Sequence, residues 1–540
     1  MAIDLSNKRF LIIDDFGDMR TMIRHMIESY GATEIDMASN GKEAVRLMAR
    51  HRYDIVLCDY NLGEGQDGQQ ILEEARHRRL IGLAALFIMI TAENTSQMVM
   101  GAVEYYPDDY LSKPFNKLVL KTRLERLLAR KGDLTEIDLA LDRRNISDAI
   151  AYCEMNAVEG APNRDELMRI KCELCLQTGD SAAVRTVCEQ MLADRRIPWA
   201  LMGLGKAQFM EGRLAEARET FQSIIDENQN HTEAYDWLAR VMVKLGDSKR
   251  AQELLSEAAV LSPKAIRRQM MLGEVAMNNG DYAVAERAYR KAVVLGRNSV
   301  HKTPENYVKQ SQALGHTSER DALRVLREMR KEFPKDKVAQ FSASLGEIDV
   351  YRKVGRDDDA ATAFKEAVEA YQSLGEALPM GVELEMARAC FMSGQEDMAV
   401  GIVSRIVGNH HDDPEMLTEV EAMFSSVGRE SDGAQIVDRV REKIATLNND
   451  GVRMAEEGRL DEAIELFQQA LQDLPENKTI NLNAAKVLLM HLRANGNNER
   501  YRALVREYLD RVNRTDPGNP VLQQLYRLRD ELFKRDRRAG

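Results

Sequence analysis

Phe10-Leu11-Ile12-Ile13-Asp14-Asp15 and Ile55-Val56-Leu57-Cys58-Asp59 each set four consecutive apolar residues in front of a carboxylate. Runs that are apolar throughout, without alternation, are what strands covered on both faces require. Ile35 to Ala38, Leu86 to Ile90 and Tyr110 to Leu111 also have strand length. Helix-like segments lie between and after them, near Asp18 to Tyr30, Gly41 to His51, Gly68 to His77, Thr95 to Val103 and Asn116 to Arg130. Five βα units in succession predict an α/β domain with a parallel, doubly wound sheet ending near Arg130. The nearly apolar stretch Leu80 to Ala92 reads as a buried strand, because it falls short of the roughly 20 residues a bilayer span needs.

After Gly132 the strand signals stop and helix pairs begin. Gly179, Gly212, Gly246 and Gly280 are spaced 33, 34 and 34 residues apart, the mark of a repeat array. Asn145, which tolerates the left-handed conformation, extends the series upstream, and Gly315, Gly355, Gly394, Gly428, Gly458 and Gly496 extend it downstream with looser spacing. Leu204-Gly205, Leu238-Ala239 and Leu272-Gly273 precede these glycines in one register, where small residues let helices approach. Ala217 and Phe221, Ala251 and Leu255, and Ala285 and Tyr289 follow in another. The pattern resembles the tetratricopeptide repeat, with about ten repeats over Leu134 to Arg529. Asp133 and Glu136 have capping-box spacing at the start of the array. Only Lys131-Gly132-Asp133 separates the two regions, so the joint should restrict their orientation. The expected organisation is 1-131 for the α/β domain, 132-530 for the repeats and 531-540 for a basic tail.

A chain of 540 residues exceeds one ordinary domain. With 44% hydrophobic and 30% charged residues it folds, and a net charge of −12 argues against gripping nucleic acid by overall charge. Six cysteines are too sparse for a disulfide framework, and the start of the chain shows no secretory or lipid-attachment motif. A cytoplasmic location without membrane insertion is expected.

In such a sheet, functional side chains gather at the carboxyl ends of the strands where strand order reverses. Asp14-Asp15 closes the first strand, Asp59 the third and Thr91 the fourth, and Lys113-Pro114 follows the fifth. Converging carboxylates repel by several kcal/mol in a partly desolvated pocket unless a cation offsets them, which points to Mg²⁺. The strings Leu11-Ile12-Ile13-Asp14-Asp15-Phe16, Leu57-Cys58-Asp59-Tyr60-Asn61-Leu62, Ile90-Thr91-Ala92-Glu93 and Tyr110-Leu111-Ser112-Lys113-Pro114-Phe115 resemble the receiver domain of bacterial two-component response regulators over Lys8 to about Arg130. The resemblance implies a five-stranded flavodoxin-like receiver followed by an all-α superhelical solenoid. It also implies that Asp59 accepts a phosphoryl group from a histidine kinase or phosphotransfer protein. Asp14, Asp15, Asp59 and the backbone carbonyl of Asn61 would hold Mg²⁺. Lys113 and Thr91 would contact the phosphoryl group, and Thr91 with Tyr110 would form a switch. Asn61 with Glu93 resembles the pairing in regulators whose phosphate is short-lived. The loop Gly63-Glu64-Gly65-Gln66-Asp67-Gly68 departs from the shorter, Pro-containing turn of many receivers.

Cys172-Glu173-Leu174-Cys175, Cys188 and Cys390 fall on core positions of the repeats, and His410-His411-Asp412-Asp413 reads as a polar loop between repeats. Lys534 to Arg538 reads as a solvated basic end. No Gly-rich phosphate loop, paired-histidine metal motif, nucleophile elbow or DNA-reading segment stands out after Gly132. The expected output is therefore protein binding by the repeats, not DNA binding or a second enzyme activity, and the protein target is unidentified. Two alternatives stay open: an RNA-binding helical array under phosphorelay control, and an unrecognised enzymatic output within the repeats. Homo-oligomerisation is also left open.

Overall fold

A computed structural model describes residues 5–92, 107–131, 134–143, 145–193, 195–374, 378–496, 498–516 and 518–539, with side chains to 533. The expected helix Thr95 to Val103, Glu93 and the capping residue Asp133 lie outside the described residues. The chain forms two compact units, Met1–Ser318 and Glu319–Gly540.

The first unit opens with β1 (Arg9–Ile13), β2 (Glu34–Ala38), β3 (Ile55–Asp59), β4 (Leu86–Thr91) and β5 (Asp109–Ser112), in the order β2-β1-β3-β4-β5 with every pair parallel. Described helices of this region are α1 (Gly17–Glu28), α2 (Gly41–Met48), α3 (Gly68–His77) and α4 (Lys117–Lys131). The unbroken apolar runs are explained by burial on both faces. Leu11, Ile13, Val56, Cys58, Phe87 and Met89 enter one core, and Phe10, Ile12, Ile55, Leu57, Ile88 and Ile90 enter the other. The strand expected over Leu80 to Ala92 is shorter, beginning only at Leu86. The preceding backbone is held by side chains from elsewhere. The Lys131 ammonium donates to the carbonyls of Leu83 (2.7 Å) and Ala85, and the Asp138 carboxylate accepts from the amides of Leu83 (2.8 Å) and Ala84 (3.1 Å). Lys131 is also paired with Asp108 at 3.0 Å, and Arg52 with Asp142 at 2.8 Å. Lys131, Asp138 and Asp142, on either side of the short joint, are therefore packed against the α/β region.

Beyond it, α5 (Thr135–Asp142) to α15 (Pro304–Leu314) complete the unit as helix pairs. They include α6 (Ile146–Asn156), α7 (Arg164–Gln177), α8 (Ser181–Leu192), α9 (Pro198–Met210), α10 (Leu214–Glu227), α11 (Thr232–Lys244), α12 (Ser248–Leu261), α13 (Ile266–Asn278) and α14 (Tyr282–Gly296). Gly179, Gly212, Gly246 and Gly280 all have φ between +73° and +85°, a conformation that disfavours side chains with a Cβ. Asn145 does not join them. Its φ is −102° and its side chain caps α6 by accepting from the Asp148 amide, the role Asp180, Asp247 and Asp281 play one residue after their glycines. Gly315 is likewise right-handed, at φ −57°. The register of small residues has a steric cause: a Cβ on Gly205 would lie 2.6 Å from the Phe221 ring, and one on Gly273 2.5 Å from that of Tyr289.

The second unit runs from α16 (Glu319–Glu332) through α17 (Lys337–Lys353), α18 (Asp357–Leu374), α19 (Met380–Met392), α20 (Glu396–His410), α21 (Pro414–Ser426), α22 (Glu430–Glu456), α23 (Leu460–Asp473), α24 (Lys478–Asn495), α25 (Glu499–Thr515) and α26 (Pro520–Ala539). The same packing appears at Gly346 against Leu326 and Gly451 against Phe467. The irregular glycine spacing has counterparts in helix length: the 18-residue α18 lies in the 39-residue interval from Gly355 to Gly394, and the single 27-residue α22 fills the 30-residue interval from Gly428 to Gly458. The backbone of the expected basic tail continues α26, and Leu532 and Phe533 pack on the core beside it. Among the described residues no helix is long and apolar enough to cross a membrane.

Three substitutions test this packing. Gly273→Ala is expected to destabilise the first unit by about 1–3 kcal/mol through overpacking against Tyr289, read from urea unfolding by the fluorescence of Trp199 and Trp237. Arg268 is fully buried and paired through two nitrogens with Asp236, both at 2.8 Å. Asp236→Ala should cost about 3–5 kcal/mol by stranding that charge, and Arg268→Met distinctly less.

Candidate functional site at the strand ends

The parallel register brings four strand termini to one edge of the sheet. Ile13 is level with Cys58, Asp59 with Ile90, and Thr91 with Ser112. Asp14 then emerges directly after β1 and Lys113 directly after β5, while Asp59 and Thr91 are the last residues of β3 and β4. Backbone bonds fix these ends: the Tyr60 amide donates to the Ile90 carbonyl (2.8 Å), and the Lys113 amide to that of Thr91 (2.7 Å).

Asp14 is fully buried, and Asp59 and Thr91 are almost so. The Lys113 ammonium lies 2.8 Å from Asp14 Oδ2 and 3.2 Å from Asp59 Oδ2, so one cation serves two carboxylates. Asp15 is exposed, yet one carboxylate oxygen each from Asp14, Asp15 and Asp59 can be chosen so that all lie within 4.8 Å of one another. Burial is the main reason the Asp59 carboxyl is held above its ordinary pKa. Lys113 pulls it back and Asp14 adds to the rise. Burial alone would push the Lys113 ammonium down, but its hydrogen bond to Asp14 and the attraction of Asp59 raise it overall. Cys58, beside Asp59, is pushed far above the ordinary thiol range by burial and by the neighbouring carboxylates, so it is a packing residue.

Asn61 and Ala92 lie at the exposed rim of the pocket. Tyr110 is half-buried, its phenol is raised mainly by desolvation, and among the described residues its buried hydroxyl has no hydrogen-bond partner. The sequence-predicted Asp14, Asp15, Asp59, Thr91 and Lys113 thus share one strand-end edge. Two contributors escaped sequence reasoning. The Arg20 guanidinium donates to the Asp14 carbonyl, from a helix position that no periodicity marks. Gly68 packs so closely that a Cβ would lie 2.4 Å from the Asp59 carbonyl oxygen.

The other motifs have structural roles. All six cysteines are buried and free. The thiols of Cys172 and Cys188, 3.7 Å apart, fill the space that a Cβ on Gly203 would take. Asp412 pairs with Lys478 at 2.9 Å, Asp413 caps α21, and His411 contacts the Asn477 amide group at 3.2 Å.

Comparison with known proteins follows the same division. A family model for the response regulator receiver domain matches residues 10–125, and tetratricopeptide-repeat models match 181–232, 208–273, 266–295 and 454–527. Chemotaxis protein CheY-3 of Vibrio cholerae serotype O1 is 30% identical over 130 residues, 24% of this chain and 98% of that protein. Chemotaxis protein CheY of Pseudomonas aeruginosa is 31% identical over 123 residues, 23% of this chain and 97% of that protein. Among solved structures, the chemotaxis response regulator CheY4 of Vibrio cholerae aligns at 25% identity over 22% of this chain and 98% of its own, with a TM-score of 0.21. With its strand-end acids, its lysine and its helix pairs accounted for in this way, the chain belongs to the response regulators, as a receiver domain followed by tetratricopeptide repeats.

Proposed function

We propose that this chain is a phosphorylation-controlled adaptor: Asp59 accepts a phosphoryl group from a histidine kinase or phosphotransfer protein, and the modification changes which protein the repeat array holds. The observation that carries this reading is the Lys113 ammonium shared by Asp14 and Asp59 in a nearly dry pocket. In this reading residues 1-131 form the receiver, 132-530 the array and 531-540 its basic end. The output is protein binding in place of DNA binding or a separate catalytic step.

The chemistry follows from the side chains. An Asp59 carboxylate oxygen attacks phosphorus, the bond to the donor nitrogen or oxygen breaks with its electron pair leaving on the donor, and a mixed carboxylic–phosphoric anhydride remains. In this reading Lys113 pairs with an oxygen of the transferred group, and Thr91 donates its hydroxyl to another. The all-oxygen donor set of Asp14, Asp15, Asp59 and the Asn61 carbonyl suits a hard divalent cation, and Mg²⁺ held there would supply charge neutralisation during transfer. Thr91 moving toward the phosphoryl group and Tyr110 turning inward constitute the switch. The unpartnered Tyr110 hydroxyl supports this, since the present packing leaves that group unsatisfied.

Three outcomes are expected. Labelled acetyl phosphate with Mg²⁺ should give one acid-stable, hydroxylamine-labile phosphate per chain, abolished in Asp59→Asn; equal labelling of that variant would refute the assignment. Mg²⁺ should raise the melting temperature of the wild-type chain and do so far less for Asp14→Ala, as a native-state ligand must. Because the Asp59 carboxyl is raised in the folded state, its ionisation costs stability as pH climbs through that raised value. Asp59→Asn should therefore melt above wild type at pH 7 without metal, with the gap closing in acid.

A further inference from the structure

The receiver's α3 face is engaged by two turns of the repeat array. One lies between α12 and α13 and carries Lys264, whose ammonium sits 2.9 Å from the Asp67 carboxylate, 3.1 Å from the Tyr60 hydroxyl and 4.8 Å from the centre of the Tyr60 ring. The other begins in the last turn of α14 and runs toward α15. The Leu295 carbonyl accepts from the Gln70 amide (3.2 Å), and the Asn298 amide donates to the Gly65 carbonyl (2.9 Å). The Ser299 hydroxyl donates to Glu73 (2.8 Å), and His301 Nε2 lies 3.0 Å from the other Glu73 oxygen. Glu73 and Ser299 are both buried, so the interface has a desolvated polar centre.

The receiver residues in this contact run from Tyr60, immediately after the acceptor Asp59, to Glu73, with His77 at the end of α3 set edge-on to His301 at 6.1 Å between ring centres. Tyr60 is the covalent neighbour of Asp59. Asp67 caps α3 in a reciprocal box with Gln70, and Gly68 donates its amide to the Tyr60 carbonyl at 2.9 Å while packing on the Asp59 backbone. A displacement at Asp59 thus reaches Lys264 through one residue and Asn298 through one loop. The departure of this loop from the usual receiver turn also has a use, since Gly65 and Asp67 supply contacts to the array. With the acceptor unmodified, Lys264 is paired with Asp67 and the Ser299 hydroxyl donates to Glu73, so the contact and the unmodified receiver stabilise one another.

We propose that this contact is an intramolecular latch: the turns at Lys264 and at Leu295 to His301 bind the α3 face of the unmodified receiver, and phosphorylation of Asp59 loosens them. The proposal rests on the reading of Asp59 given above. The repeat turns and the α3 face are then a switchable surface, covered in one state and available in the other. Reciprocity requires that weakening the latch favour phosphorylation.

The test is hydrogen–deuterium exchange of the full chain, with and without beryllium fluoride and Mg²⁺ as the phosphoryl mimic, and acetyl phosphate labelling of the same preparation. Amides of 67–77 and 295–303 should exchange several-fold faster with the mimic. Lys264→Ala alone should reproduce the acceleration at 295–303, leave the circular dichroism unchanged and tighten binding of the beryllium fluoride mimic several-fold. If that variant loses helix content, Asn298→Ala, at an exposed position, is read in its place. Normal labelling of Asp59 with unchanged or slower exchange at 295–303 would overturn the latch and leave the acceptor reading standing. Failure to label would remove that reading and phosphate control of the latch with it.

Discussion

A single ammonium group between two buried carboxylates is the constraint on which the rest depends. Lys113 reaches Asp14 and Asp59 only because the parallel register of β1, β3, β4 and β5 brings their carboxyl ends level. Burial without that cation would leave two like charges facing each other in a low-dielectric pocket, an arrangement folding does not tolerate. The same burial keeps the Asp59 carboxyl above its ordinary pKa, so the site is built at a cost in stability that an added cation can offset.

The helical region obeys a steric constraint instead. In several pairs one helix presents a residue without a Cβ, and an aromatic or branched side chain of its neighbour fills the gap, as with Gly205 and Phe221 or Gly273 and Tyr289. Such pairs fix how closely neighbouring helices approach and leave the turns free to vary. The turns at Lys264 and Ser299 use that freedom, carrying polar side chains that serve the receiver in place of the repeat core.

Legibility in the sequence followed these causes. Strands buried on both faces declare themselves as unbroken apolar runs, and Asp14, Asp59, Thr91 and Lys113 could be found because each sits at the end of such a run. The turn glycines were visible through their period, but Asn145 and Gly315 showed that spacing alone does not report backbone conformation: the first is a helix cap and the second is right-handed. The strand expected from Leu80 was too long, because apolar character cannot reveal that Lys131 and Asp138 hold Leu83 to Ala85 in a loop. The receiver–array contact was invisible for a related reason. Glu73 reads as one more polar helix residue, and Lys264, Asn298 and His301 lie in turns where no periodicity operates, so only the tertiary arrangement gives them partners.

The account stands or falls on chemistry at one carboxylate. Treating the chain with a phosphodonor and Mg²⁺, reducing with borohydride and sequencing the peptides by mass spectrometry locates an acyl phosphate directly, because reduction converts the modified aspartate to homoserine. The account predicts homoserine at position 59 and at neither 14 nor 15. Homoserine at another position, or none while the donor is consumed, would contradict it.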